Sequence, residues 1–233
     1  MRFFRTLIVF IEMLVLEDLL LNGLKIYQDD SLYRFTSDAI LLSKFATVKH
    51  GEVVADFCSG SGIVGFNLYG LNQDKVKSVT LFEMQKCLYD LNKKSIEYNN
   101  LSSVFTSVNT KLQDITSEYN GKFSLITCNP PYMSLQGGLG AQSEHIDLCK
   151  TEVALSLEEL IATAKRTLKF GGRLALVHRS DRLTDVMYLM RKFNIEPKRL
   201  QIVNAVNKEP YLVLIEGVSG GKPGLKILPP ISN

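Results

Sequence analysis

The residues Asn129-Pro130-Pro131-Tyr132 concentrate groups that could do chemistry. They follow the apolar run Phe123-Ser124-Leu125-Ile126-Thr127-Cys128 and precede a glycine-rich stretch, which predicts a strand whose end opens into a rigid loop. Each proline fixes its own φ and pushes the residue before it out of the helical region, so Asn129 is expected to be extended, with its amide aimed away from the sheet. The Asn129 amide oxygen and the Pro130 carbonyl are two acceptors able to grip both hydrogens of a planar NH2 group. Tyr132 offers a ring face on which a flat substrate can stack. Such a set suits methylation of an amino nitrogen. The competing reading is a chance turn, and the rest of the chain must decide between them.

Upstream, Val53-Val54-Ala55-Asp56-Phe57 is a short apolar strand, followed by the tight turn Cys58-Ser59-Gly60-Ser61-Gly62 and an apolar helix over 63–71. This predicts the first βα turn of a Rossmann-like sheet. Gly60 and Gly62 can take positive φ there, letting a ligand lie against the backbone beside the amino end of the helix. Asp56 at the strand end favours a cationic or amine-bearing ligand over a phosphate, and S-adenosylmethionine, with its sulfonium and ammonium groups, is one such ligand. The next strand, Ser78 to Phe82, ends in Glu83, about twenty residues past the glycines, where an acidic side chain can take both hydroxyls of a ribose. A solvated acid at a helix start is the competing reading of Glu83. After a third strand, Val104 to Val108, Asp114 stands where it can meet an adenine amine or merely cap a helix. Nearer the amino end, Phe35-Thr36-Ser37-Asp38 opens a helix running to Phe45. Phe35, Ser37 and Asp38 either cover a bound cofactor or form an ordinary capped start.

These residues need elements to hold them. An amphipathic helix is expected over 85–99, a long one over 152–169 ended by Gly171-Gly172, and another over 184–193. A strand over 173–177 delivers His178, read as a satisfied edge histidine, and Arg179 and Arg182, read as phosphate contacts. Strands over 199–206 and 211–218 follow, making seven strand candidates that alternate with helices until the last two, the pattern of an α/β sheet. Residues 134–148 form a glycine-rich loop able to close over a substrate. Residues 13–33 mix apolar and acidic side chains around Asn22-Gly23 and end in a polar loop, Gln28 to Ser31. Residues 1–12 are expected to be a frayed or accessory helix, with Met13 an alternative start.

At 233 residues and 45% hydrophobic content the chain can bury one substantial core, and a single domain is expected over 1–233, with 1–33 an accessory segment and 219–233 a tail. The net charge of +3 is unevenly spread. Residues 1–120 hold 12 Lys+Arg against 14 Asp+Glu, and residues 121–233 hold 15 against 10, so the basic surface belongs to the later half. Cys58, Cys87, Cys128 and Cys149 form no C-x-x-C pair, which argues for neither zinc nor a disulfide framework and fits a reduced, cytoplasmic setting. The apolar opening is interrupted by Glu12 and is too short to span a bilayer. No metal and no membrane partner is expected.

Asp56 to Gly62, Glu83, Asp114 and Asn129 to Tyr132 occur in the order and spacing of class I S-adenosylmethionine-dependent methyltransferases, and the tetrapeptide resembles that of the amino-methylating branch. More narrowly, Asn22-Gly23-Leu24-Lys25-Ile26, Arg34-Phe35-Thr36-Ser37-Asp38-Ala39-Ile40-Leu41-Leu42, His178-Arg179 with Arg182-Leu183, Ile195-Glu196-Pro197-Lys198-Arg199 and Gly220-Gly221-Lys222-Pro223-Gly224 resemble bacterial adenine-N6 methyltransferases that modify the anticodon loop of a valine tRNA. The resemblance implies a seven-stranded, mostly parallel Rossmann-like sheet with helices on both faces and an antiparallel last strand. It also implies S-adenosylmethionine as cofactor, S-adenosylhomocysteine as product, and a tRNA partner. Phe35, Ser37, Asp38, Asp56, Cys58, Gly60, Gly62, Glu83, Asp114 and Asn129 would hold the cofactor. Asn129, Pro130 and Tyr132 would act on the adenine amine, and Arg179, Arg182, Lys198 and Arg199 would hold RNA. Two alternatives belong to other classes: a glutamine-N5 protein methyltransferase, which carries a similar tetrapeptide behind a sizeable helical domain, and a non-catalytic module that merely keeps the fold.

Overall fold

The computed structural model describes residues 14–29, 37–130, 155–205 and 209–233. The first described element is a β-hairpin, β1 (Leu14–Asp18) paired antiparallel with β2 (Lys25–Asp29). A polar loop was expected over part of this stretch. The turn is made by Asn22 and Gly23, both at positive φ (53° and 74°), and Leu24 and Ile26 turn inward and are buried. Asn-Gly between apolar residues is a hairpin signal. The acidic residues beside it, Glu17 and Asp18, lie on the partly exposed strand and mask the alternation.

Helix α1 (Ser37–Phe45) leads into the main sheet, whose spatial order is β5-β4-β3-β6-β7-β9-β8-β10. Here β3 is Glu52–Phe57, β4 Val76–Glu83, β5 Phe105–Asn109, β6 Phe123–Cys128 and β7 Leu168–Arg179; β8 is Ile195–Asn204, β9 Pro210–Ser219 and β10 Lys226–Ile227. The five strands from β5 to β7 are parallel, and β9 slots antiparallel between β7 and β8. The expected seven-stranded, mostly parallel sheet is therefore present. The basic tail adds to it: β10 and β11 (Ile231–Ser232) pair parallel with the outer side of β8. Strand β8 begins four residues earlier than its apolar run suggests. A register shift between Pro197 and Arg199 accommodates the proline, which cannot donate to the ladder.

Strand β6 is buried at every position, as a strand covered on both faces must be. One face packs Leu157, Leu160, Ile161 and Ala164 of α4 (Leu157–Thr167) and Val186 and Met190 of α5 (Leu183–Lys192) against Phe57, Phe82 and Phe123. The other packs Leu42 and Phe45 of α1 and Ile63, Phe66 and Leu68 of α2 (Ile63–Leu71) against Val54, Leu125 and Val177. Helix α3 (Lys86–Tyr98) carries the hairpin, through the Tyr27 N–H on Ser95 Oγ (2.9 Å) and a reciprocal pair between Asn99 and the Lys25 backbone (3.0 and 2.6 Å). Helix α4 is closed at its amino end by a capping box, Ser156 with Glu159, and ends at Thr167, short of the expected Lys169, because Leu168 already pairs with Phe123. A buried ion pair, Arg173 with Glu52, joins the middle of β7 to the start of β3, with Glu52 also accepting the Lys49 N–H (2.8 Å).

The chain builds outward from β3 to β5, then returns to lay β6 on the other side of β3. The crevice at the carboxyl ends of β3 and β6 is the switch point where sheets of this kind place a ligand.

Candidate active site

Strand β3 ends at Phe57 and the chain turns at once through Cys58, Gly60 and Gly62, at φ 54°, 57° and 86°. The turn is fastened to β4 by the Ser59 N–H on the Phe82 carbonyl (3.0 Å) and closed by the Gly62 N–H on the Ser59 carbonyl (2.8 Å). Its two glycines serve different ends. A Cβ on Gly62 would stand 2.8 Å from Asn92 Oδ1 and 3.0 Å from the Phe66 ring, so this glycine is required by packing as well as by φ. A Cβ on Gly60 would meet nothing within 4 Å, which leaves a bare backbone surface against which a ligand can lie.

Two carboxylates flank the turn. Glu83, at the end of β4, accepts the Gly60 N–H on Oε2 (2.9 Å) and the Gln85 N–H on Oε1 (2.8 Å), with the Met84 N–H drawn to the same carboxylate. Burial pushes it up to about 7, against the pull of those N–H donors. Asp56 was expected to face the ligand. Instead it is buried beneath the turn, Oδ2 accepting the Gly65 N–H of α2 (3.1 Å) and Oδ1 the Thr127 hydroxyl of β6 (2.7 Å). Desolvation also pushes it up to about 7, held back by the Thr127 and Gly65 bonds and helped by the charge of Glu83. Asp56 thus ties β3, β6 and α2 together, and the turn sits on top of it.

In the parallel register Cys128 pairs with Phe57 on one side and Leu176 on the other. Asn129 is therefore one residue past the sheet, level with Cys58 and Val177. It is half-buried and Pro130 is buried. Pro131, Tyr132, Phe35 and the loop 134–148 lie outside the described residues. Burial, with the Cys58 thiol beside it, drives the Cys128 thiol well above its usual range, so it is protonated and inert. Ser37 opens α1, its hydroxyl taking the Asn233 amide (2.6 Å), with Asp38 in the same first turn. Asp114 is exposed in a single 3-10 turn beyond β5. His178 is buried at the end of β7, its Nδ1 accepting the Arg179 N–H (2.9 Å). Burial, reinforced by the charge of Arg182, lowers it to about 4, so it is neutral at physiological pH.

This geometry can be set beside known proteins. The family model of the methyltransferase small domain matches residues 36–196. The chain belongs to that family. Among curated relatives, the tRNA1(Val) (adenine(37)-N6)-methyltransferase of Shewanella putrefaciens is 25% identical over 182 residues, which are 77% of this chain and 74% of that protein. The protein of the same name from Porphyromonas gingivalis is 35% identical over 98 residues, 42% of this chain and 38% of that one. Of solved structures, a predicted O-methyltransferase from Agrobacterium tumefaciens overlays with a TM-score of 0.63 at 17% identity, over 84% of this chain and 86% of that one. The M. jannaschii TYW2 in complex with AdoMet overlays at 0.60 and 12% identity, over 89% and 86%. Both share the fold.

The basic residues of this methyltransferase divide into two groups. Arg179 and Arg182 stand at the carboxyl edge as expected, each beside a nearby carboxylate: Arg179 on Asp181, Arg182 on Asp185 (2.7 Å). Lys198 and Arg199 do not join them. Lys198 Nζ donates to the Lys222 carbonyl (3.1 Å) and so holds the tail. The Arg199 guanidinium is drawn inward, over the Phe45 ring (4.6 Å to its centroid), donating to the Phe45 carbonyl (3.0 Å) and Thr47 Oγ1 and pairing with Glu216 (3.3 Å). Both sit in the middle of β8, away from the switch point, because the register shift at Pro197 sets Arg199 opposite Glu216. Asn109, which sequence reasoning passed over, donates from Nδ2 to the carbonyls of Glu83 (2.8 Å) and Met84 (3.0 Å) and fixes the corner leaving β4. No helix is long and apolar enough to cross a membrane, and no group of three or more His, Cys, Asp or Glu is placed to hold a metal, among the described residues.

Proposed function

We propose that this methyltransferase moves a methyl group from S-adenosylmethionine to N6 of an adenine in tRNA, the anticodon-loop adenine of a valine tRNA. One observation carries the reading: Asn129-Pro130 leaves the sheet at the switch point, level with the glycine turn, so an amine gripped there lies beside whatever lies on Gly60. The names of the curated relatives support the choice of substrate.

The residues present fit the cofactor. Gly60 offers an uncovered backbone, Glu83 two oxygens for the ribose hydroxyls, and Asp114 an exposed carboxylate for the adenine amine. When bound, S-adenosylmethionine supplies a methyl group made electrophilic by its sulfonium. The protein's part is positioning and electrostatics. The Asn129 amide oxygen and the Pro130 carbonyl accept the two amine hydrogens, turn the nitrogen lone pair toward the methyl, and stabilise the positive charge that grows on nitrogen. The surplus amine proton then leaves to solvent, so no general base is needed, in keeping with a neutral His178. The target base is unstacked from the loop and laid on the Tyr132 ring, while Arg179 and Arg182 exchange their carboxylates for phosphates. The setting is cytoplasmic, where tRNA is found.

Nucleoside mass spectrometry of tRNA incubated with the protein and S-adenosylmethionine tests this. N6-methyladenosine should appear in the valine species. Methylation of a protein glutamine with no modified nucleoside would replace this reading by the glutamine-N5 alternative.

A further inference from the structure

The glycine turn is held from outside, and one of its holders comes from ahead of the residues that the family model matches. Glycines at φ 57° and 86° have no side chains with which to fix themselves. The two serines between and before them are buried, and each is gripped by an amide. Asn92 of α3 donates to Ser59 Oγ (3.2 Å), and Gln28 of β2 donates to Ser61 Oγ (3.1 Å). Gln28 is itself 1% exposed and Ser61 4%, so the bond is shielded from water and each partner depends on the other. The hairpin that carries Gln28 is pinned at its turn and along β2: Asn22 Nδ2 reaches the Gly70 carbonyl at the end of α2 (3.0 Å), Lys25 bonds to Asn99 at the end of α3, and Tyr27 to Ser95 within it. Gly70 is crowded against Leu21 and Leu24, where a Cβ would come within 3.2 Å of both. Residues 14–29 lie ahead of the matched family span, 36–196.

We propose that the amino-terminal hairpin is part of the cofactor site, with Gln28 a positioning residue that locks the turn through Ser61. The inference rests on the turn being where S-adenosylmethionine binds. A surface that recognises its ligand through bare backbone must be held to within about half an ångström, and any looseness is subtracted from affinity. Glu83 fixes Gly60 on one side of Ser61. Without Gln28, the path from Gly60 into α2 would lose its side-chain tether at Ser61 and rest on the Gly62 N–H to Ser59 and Gly65 N–H to Asp56 bonds.

The test uses the full chain and calorimetric titration with S-adenosylmethionine. Gln28→Met keeps the volume and removes the donor; Ser61→Ala removes the same bond from its other end and stands in should the first variant fail to fold. Each should weaken binding about five- to tenfold, the loss expected of one buried hydrogen bond, and the double variant should be no worse than either alone. Turnover at saturating cofactor should be unchanged. Melting temperature lowered with cofactor affinity intact would reduce the hairpin to packing and overturn the proposal, as would strictly additive losses. Gly60→Val separates the two levels: if it binds the cofactor normally, the turn is not the cofactor site and both ideas fall; if it abolishes binding while Gln28→Met and Ser61→Ala leave it intact, only the role of the hairpin fails.

Discussion

Asp56→Asn should stabilise the cofactor-free protein at alkaline pH, an unusual outcome for a substitution at the end of a glycine-turn strand. Asp56 is pushed from 3.8 up to about 7 by burial, so the fold holds its proton more tightly than the unfolded chain does. The stability this proton contributes is complete below about pH 4 and is lost as pH rises to about 7. Since one pKa unit corresponds to about 1.36 kcal/mol, keeping Asp56 ionised at pH 8 costs at most about 4 kcal/mol. The amide avoids that cost. Its oxygen can take the Gly65 N–H, and its NH2 can face Thr127 Oγ1, whose hydroxyl is then free to turn toward the Ala55 carbonyl 3.5 Å away. Charge-assisted bonds become neutral ones, which returns part of the gain, leaving about 2 kcal/mol at pH 8 or roughly 4–8 °C in melting temperature for a chain of this size. Thermal unfolding of wild type and variant, without cofactor, at pH 5 and pH 8 is the assay. Wild-type stability should fall between the two, and the variant should overtake it only at pH 8. A variant less stable than wild type at both values would show that the Asp56 charge is paired rather than stranded.

Glu83 is also pushed to about 7, but its task requires the ionised form, so cofactor affinity should rise about tenfold from pH 6 to pH 8 and become flat in Glu83→Gln, read by calorimetry. Asn129→Ala should lower kcat by about 100- to 1,000-fold with cofactor affinity preserved, since the amide acts on charge that appears only in the transition state; wild-type turnover in this variant would remove the residue from the mechanism. Glu52→Ala strands a buried guanidinium on Arg173 and should cost about 3–5 kcal/mol in denaturant unfolding, whereas a loss under about 1 kcal/mol would mean the pair is solvated. Binding of bulk tRNA should weaken steeply between low and moderate salt, and charge reversal at Arg179 with Arg182 should flatten that slope; a salt-independent affinity would count against phosphate contacts.

The sheet was legible because its strands are buried on both faces, so that runs such as Phe123 to Cys128 announce themselves without any alternation to decode. The glycine turn was legible because positive φ leaves few residue types to choose from. What escaped was structure held by single pairings. The β1–β2 hairpin and the β10 and β11 strands are short and half-exposed, and each is stabilised by a partner distant in sequence: α3 for the hairpin, β8 for the tail. Nothing local in Lys226-Ile227 distinguishes it from coil.

The roles of charged residues were harder still, because residue type fixes what a side chain can bond and not which way it points. Asp56 and Glu83 are both acids at the ends of adjacent parallel strands, yet one lies under the turn and the other beside it. In the β3–β4 register Asp56 pairs with Leu81 and Phe57 with Phe82, so Glu83 lies level with Cys58, two residues beyond Asp56 and at the height of the turn itself. A carboxylate two residues lower meets the amino end of α2 and the hydroxyl of Thr127; one at the level of the turn meets the N–H groups of Gly60 and Gln85. The same reasoning separates Arg179 from Arg199. The first is the last residue of its strand and can reach outward, while the second is set opposite Glu216 by a one-residue shift at Pro197 and closes onto Phe45. Register, a property of pairs of strands, therefore decides which charges recognise a ligand and which hold the fold.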